Sequence, residues 1–248
     1  FGMFYHDVEG FDVAEYKGRT FTIGFWAKSA VTGVHCVALR NALNDVSYVA
    51  EYTITAANTP QFVSITIVGG LPAIGTWNFT NGSGLQLCFP LACGTNFGGA
   101  GAGWTLANKI ATAAQVNCLG TIGNVFGITA VQINPGAIAK RFQIPTYEEE
   151  LRRCQRYYEE SHFVMLNESL NGGKGSFGNM GHYKVTKRSV PTLTASVKGN
   201  LGGGDSISIP TFNGTEQSYY QSTVGVWDAF AGQFSDEVTL KIIADSRL

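Results

Sequence analysis

Charge is scarce in this chain: 17 lysines and arginines and 18 acidic residues are spread over 248 positions, for a formal net charge of −1. A face for nucleic acid or an anionic membrane needs clustered cations to displace counterions, so neither partner is expected. No run approaches the roughly 18 apolar residues that span a bilayer, so membrane insertion is not expected. The opening FGMFYHDVEG shows no basic segment followed by an apolar one, hence no visible secretion signal. It starts on aromatic residues without an initiator Met, as expected of a C-terminal piece of a longer protein.

Motifs for chemistry are missing too. Cys36, Cys88, Cys93, Cys118 and Cys154 are odd in number and scattered, several within apolar runs such as LQLCFPLACG. Buried free thiols in a reducing compartment fit that pattern better than a disulfide framework. Cys88 and Cys93 have no second pair and no nearby histidine, which argues against zinc. His6, His35, His162 and His182 lie far apart, without ligand spacing. NGSGL and GKGSFG both miss the spacing of a nucleophile elbow. NGGKGS reads as a glycine turn rather than a phosphate loop, and Glu51 is the main acid inside a strand. The expectation is a protein that is not an enzyme and holds no cofactor, with Asp7, Glu9 and Asp12 as candidate calcium donors.

What is abundant is glycine (31 residues) and apolar residues (44%, with 12% aromatic), a composition of short strands and tight turns. In TFTIGFWAK, Phe21, Ile23, Phe25 and Ala27 share one face while Thr22, Gly24, Trp26 and Lys28 share the other. YVAEYTI and FVSITIV alternate similarly, and further strands are expected at Val34 to Arg40, Leu85 to Phe89, Val116 to Leu119 and Val125 to Ile133. Turn signals separate them, among them Thr32-Gly33, Asn58-Thr59-Pro60, Gly69-Gly70, Asn81-Gly82 and Asn134-Pro135-Gly136. Many strands without intervening helices predict an all-β chain whose first domain, residues 1–145, is an antiparallel jelly-roll sandwich.

Charge gathers in one place, TYEEELRRCQRYYEE. Thr146 with Glu149 forms a capping-box pattern, and the glutamates of the first turn suit the positive end of a helix dipole. A linker helix over 146–160 is predicted. Tyr147, Leu151, Cys154 and Tyr158 make one narrow apolar stripe on it, a candidate seam. That stripe lies either on its own sandwich or against further copies on a shared axis. β character returns over 161–248, in HYKVTKRSVPTLTASVKG and EVTLKIIADSRL, with GNLGGGDS and FNGTEQS read as loops. This second, smaller β domain has a thin core, so it is expected to lean on a neighbour.

Two turn-rich stretches, GTWNFTNGSG and FGGAGAGW, place Trp77, Phe79 and Trp104 beside neutral polar residues. Flat rings that stack on a pyranose, with amides and hydroxyls for its hydroxyl groups, are what sugar recognition needs. These three are the candidate carbohydrate-binding residues.

FTIGFWAKS followed by VALRN and SYVAEYTI, and then GITAVQINPGAIAKRFQIPTYEEELRRCQRYYEE, resembles C-terminal segments of tail fibre and tail proteins of double-stranded DNA bacteriophages. YKVTKRSVPTLT and LKIIADSRL resemble the second domain and chain terminus of that family, so the resemblance covers nearly the whole chain. Its most specific part is the Cys154-Gln155-Arg156-Tyr157-Tyr158 run. The resemblance implies a carbohydrate-binding-module-like sandwich and a β tip at the end of a homotrimeric fibre. It implies location in the virion tail, beside other phage tail proteins, with host cell-surface glycan as the partner bound by avidity. A purely structural assembly module and a glycan depolymerase are the alternatives.

Overall fold

The computed structural model describes residues 1–101, 103–168, 175–177, 180–198, 206–207, 212–221, 225–228 and 235–247. Most of GNLGGGDS and NGGKGS lies outside them. The chain divides into two compact units, Phe1–Ile144 and Pro145–Leu248.

The first unit is built from β1 (Gly2–Glu9), β2 (Phe21–Ser29), β3 (Gly33–Arg40), β4 (Ser47–Ile54), β5 (Gln61–Ile67), β6 (Ser83–Ala92), β7 (Trp104–Thr105) and β8 (Phe126–Pro135). A short helix α1 (Gly10–Val13) and a single 3-10 turn follow β1. The strands form two antiparallel sheets, ordered β1-β6-β3-β4-β7 and β5-β2-β8. Phe21, Ile23 and Phe25 of β2 pack against Val37 and Leu39 of β3, Tyr52 and Ile54 of β4, and Leu85, Leu87 and Phe89 of β6. Apolar inner faces of two sheets therefore close on one core, a jelly-roll sandwich. Phe25 anchors it with edge-to-face contacts to Tyr52 and Phe89, at 5.3 and 5.1 Å between centroids.

Two sequence expectations need correction. The start of the chain, where candidate calcium donors but no strand were expected, is strand β1, paired along its length with β6. Its strand pattern was hidden because an edge strand is only half buried. Val116 to Leu119 is not a strand; it lies along the sheet through single bonds, Val116 N–H to Val34 O (2.9 Å) and Cys118 N–H to Leu91 O (2.8 Å).

The outer face of the five-stranded sheet is not bare. Ile110 and Ala111, from the long segment after β7, bury against Cys36, Ala38, Val49 and Cys88. The turn-rich FGGAGAGW is bonded into the same cover: Ile110 N–H donates to Phe97 O (2.9 Å) and Ala100 N–H to Ala111 O (3.0 Å). Cys36, Cys88, Cys93, Cys118 and Cys154 are all free thiols.

His35 is buried between the Tyr52 and Phe126 rings, and its Nε2–H donates to Val31 O at 2.9 Å. Burial pushes its pKa below the usual 6.5, against the opposing pull of the Val31 carbonyl. The unfolded chain therefore takes up a proton here at a higher pH than the folded one. This contribution to stability is complete above about pH 6.5 and is lost as pH falls below it.

In the second unit, helix α2 (Tyr147–Tyr157) begins at the capping box expected of it, with Thr146 Oγ1 accepting from Glu149 N–H and Thr146 N–H donating to Glu149 Oε2. It stops earlier than 160. Tyr158 is extended and opens β9 (Tyr158–Glu168), which pairs with β17 (Ser235–Asp245), itself flanked by β12 (Thr192–Lys198). Two further three-stranded sheets use β10 (Gly175–Phe177), β11 (Met180–His182), β13 (Ser206–Ile207), β14 (Phe212–Gly214), β15 (Ser218–Gln221) and β16 (Gly225–Asp228), ordered β10-β16-β13 and β11-β15-β14. FNGTEQS is thus a strand and turn rather than a loop, with Thr215 Oγ1 accepting from Gln217 and Ser218 N–H. Residues 183–191, read as part of an alternating run, form no strand.

Those residues instead close the end of α2. Lys187, with its side chain 0% exposed, meets Glu159 (3% exposed) at 2.7 Å, donates to Gln155 O and lies 4.8 Å from the Tyr183 ring centroid. Arg188 N–H and Ser246 N–H take the next two carbonyls, Arg156 O and Tyr157 O. A cation among free carbonyls at a helix C-terminus is favoured by the dipole. Burial still drives the Lys187 pKa down, with the Glu159 bond opposing it.

Two measurements check this. Lys187→Met leaves the Glu159 carboxylate buried without its cation, beside the Lys184 N–H, and should lower the stability of the second unit by about 3–5 kcal/mol in urea unfolding, while Lys187→Met with Glu159→Leu should recover most of it. The melting temperature of the first unit should drop between about pH 7 and about pH 5, and His35→Gln should flatten that drop.

Candidate functional site

The outer face of the three-stranded sheet is set by register. Across β5, β2 and β8 the rows read Phe62–Trp26–Thr129, Ser64–Gly24–Gln132 and Thr66–Thr22–Asn134. Plain alternation from Thr129 would place Val131 and Ile133 on this face. A bulge between the Gly24 and Trp26 pairings prevents it, with Ala130 at φ +52° taking up the extra residue. Val131 and Ile133 then pack on the core, and Gln132 and Asn134 turn outward.

One end of this face is roofed by the chain after β8. Thr22 Oγ1 donates to Gly136 O (2.8 Å), Thr66 Oγ1 to Ala137 O (3.2 Å), and Lys140 N–H to Asn134 Oδ1 (3.0 Å). The other end is open. There Trp26 and Phe62, 43% and 45% exposed, stand as neighbouring rings with centroids 5.7 Å apart. Ser64 and Thr129 are exposed beside them. Gly24 lies under this surface, where a Cβ would come within 3.1 Å of Ala139 Cβ and 3.3 Å of Phe62 Cζ and Gln132 Nε2. Two adjoining aromatic rings with exposed hydroxyls at their margin suit a neutral polyhydroxylated ligand.

The candidates chosen from sequence lie elsewhere. Trp77 and Trp104 do meet, edge to face at 5.4 Å, and Tyr48 adjoins Trp104 at 5.3 Å. Both indoles are half-buried against the core, as is Phe79, over which Lys17 Nζ sits at 5.4 Å. Each indole N–H is already used, Trp77 donating to Ile74 O (2.9 Å) and Trp104 to Gly70 O (3.0 Å). Gly70 holds φ +66°, and a Cβ there would lie 2.2 Å from the Arg19 and Tyr16 carbonyls. This cluster is partly buried, with both indole N–H groups engaged.

Of the candidate calcium donors, Asp7 accepts from Ser83 Oγ at 2.8 Å, Glu9 is buried and Asp12 lies on α1. Among the described residues no three metal-ligating side chains gather. The seam candidates divide: Tyr147 (77% exposed), Leu151 and Cys154 lie on α2, no residue of which is buried, but Tyr158 belongs to β9. A stripe of four helical positions is therefore reduced to three.

A groove of about 480 Å³ also opens in the first unit, between the edge strands β1 and β8. Leu87 and Phe89 line it from β6 and Val131 and Ile133 from β8, with Phe4 and His6 contributed by β1. Tyr16 donates its hydroxyl to Ile133 O at 3.4 Å, and burial, then Glu15, holds its pKa up at about 12.

No protein-family model matches the chain, and no curated protein matches it. Among solved structures it is similar to wild-type discoidin II from Dictyostelium discoideum, at 12% identity over 91% of this chain and 71% of that one, with a TM-score of 0.25. A native recombinant discoidin II gives 10% identity, 98% and 77% coverage and a TM-score of 0.26. Likeness at that level carries no weight for fold or function, which rest on the strand order and side chains above.

The two aromatic clusters should separate in unfolding experiments. Trp104→Ala should destabilise the first unit by roughly 3 kcal/mol, whereas Trp26→Ala should cost no more than about 1 kcal/mol.

Proposed function

We propose that this chain is a non-enzymatic adhesion module that binds bacterial surface glycan through the open end of the β5-β2-β8 face. The observation that carries the proposal is the exposed Trp26–Phe62 pair with Ser64 and Thr129 beside it. Rings held on a rigid sheet offer stacking area at little entropic cost, and neutral hydroxyls match neutral sugar hydroxyls. The sequence resemblance supports placing the module at the tip of a phage tail fibre, as a homotrimer among other tail proteins, carried in the virion. The uncovered α2 stripe at Tyr147, Leu151 and Cys154 supports a seam between copies. Three copies multiply a weak single-site affinity by effective concentration.

The test is binding to host-surface polysaccharide. Trp26→Ala and Phe62→Ala should each weaken binding per site about tenfold without loss of folding, and Trp77→Phe should leave it unchanged. Leu151→Glu should lower the mass in solution and remove avidity while preserving single-site affinity. Undiminished binding by Trp26→Ala, or release of reducing sugar ends from the polysaccharide, would overturn the reading.

A further inference from the structure

The groove between β1 and β8 is unlike the aromatic face. It is long rather than flat: from Phe4 to Val8, β1 extends about 13 Å along it, and the register sets its two ends apart. Phe4 and Phe89 pair at one end, and Phe89 touches Phe25 at 5.1 Å. At the other end Tyr16 meets Phe21 at 4.9 Å and bonds to Ile133 O, beside Asp12 of α1. Between the ends the lining sets aliphatic Leu87, Ile128 and Val131 beside His6 and Gln132.

The polar end is anionic. From Gly2 to Tyr16 the chain carries Asp7, Glu9, Asp12 and Glu15 but no lysine or arginine. Asp7 is satisfied by Ser83, Glu9 is buried with partners of its own, and Glu15 bonds to Tyr16. Asp12 is exposed and, among the described residues, has no hydrogen-bond or ion-pair partner. The nearest lysine in sequence, Lys17, sits over the Phe79 ring. A carboxylate beside aromatic rings at the end of an apolar trough is the chemistry that receives an ammonium group.

We propose that this groove is a second binding site, for an elongated amphiphile whose amine meets Asp12 and whose apolar body runs toward Phe4 and Phe89. The volume of about 480 Å³ lies in the range of small-molecule sites. The bulge at Ala130 turns Val131 and Ile133 into this groove, and Gln132, which pairs with Gly24 on the glycan face, also contributes to its lining, so one backbone feature shapes both sites.

The test is calorimetric titration of the full chain at about pH 8. The probes are n-octylammonium, n-octanol and n-octanoate, all below micelle-forming concentration. Octylammonium should saturate one site, octanol should bind more weakly and octanoate not at all. Asp12→Asn should weaken octylammonium about tenfold and leave octanol unchanged. Val131→Trp should abolish both by filling the groove, and Phe4→Ser, at an exposed position, should weaken both if Val131→Trp does not fold. Trp26→Ala should alter none of these affinities, which separates this site from the glycan face. The proposal is overturned if octylammonium shows no saturable binding, if octanoate binds as well as octylammonium, or if Asp12→Asn binds octylammonium as the parent chain does.

Discussion

One residue's backbone conformation governs what the first unit can display. Ala130, at φ +52°, inserts an extra position into β8, and an L-residue holds that conformation only when its surroundings compel it. Here the compulsion is the core: Ile128, Val131 and Ile133 all pack inward, an arrangement that strict alternation forbids. Exchanging parity within the strand lets Thr129, Gln132 and Asn134 share the outer face with Trp26 and Phe62. Apolar burial on one side thereby dictates a polar and aromatic surface on the other.

The two faces of the sandwich meet different fates for the same physical reason. Cys36, Ala38, Val49 and Cys88 form an apolar outer face on the five-stranded sheet, which requires cover, and the segment after β7 supplies it with Ile110 and Ala111. The three-stranded sheet has threonines, a glycine and a serine there, which tolerate water, so its cover stops at the Gly24–Gln132 row and leaves the Trp26–Phe62 end open. An aromatic pair left exposed on such a face is open to a ligand, whereas Trp77 and Trp104 are half-buried against the core.

In the second unit, organisation comes from polar contacts as much as from apolar burial. Tyr183, Tyr219, Ile242 and Ala244 make a small core. The end of α2 is held by Lys187, Arg188 and Ser246, with Glu159 neutralising the buried ammonium. Such an arrangement specifies geometry more than it stabilises, since desolvating two charges offsets most of their attraction. It places the turn from helix to β9 at Tyr158, which removes that residue from the helical stripe.

Much of the fold was legible from residue order alone. Alternation placed Phe21, Ile23, Phe25 and Ala27 inside and Trp26 outside, and the Thr146–Glu149 box located the start of α2. These are local properties, set by periodicity two in strands and by hydrogen bonding within one helical turn. What the tertiary structure decided was non-local. Phe62 comes beside Trp26 only through strand register, the two edge strands bound a groove only once both sheets stack, and Trp77 meets Trp104 with its indole N–H already engaged. An aromatic side chain reads the same in a sequence whether it plugs a loop or faces water, because its exposure depends on distant residues that cover it or leave it bare.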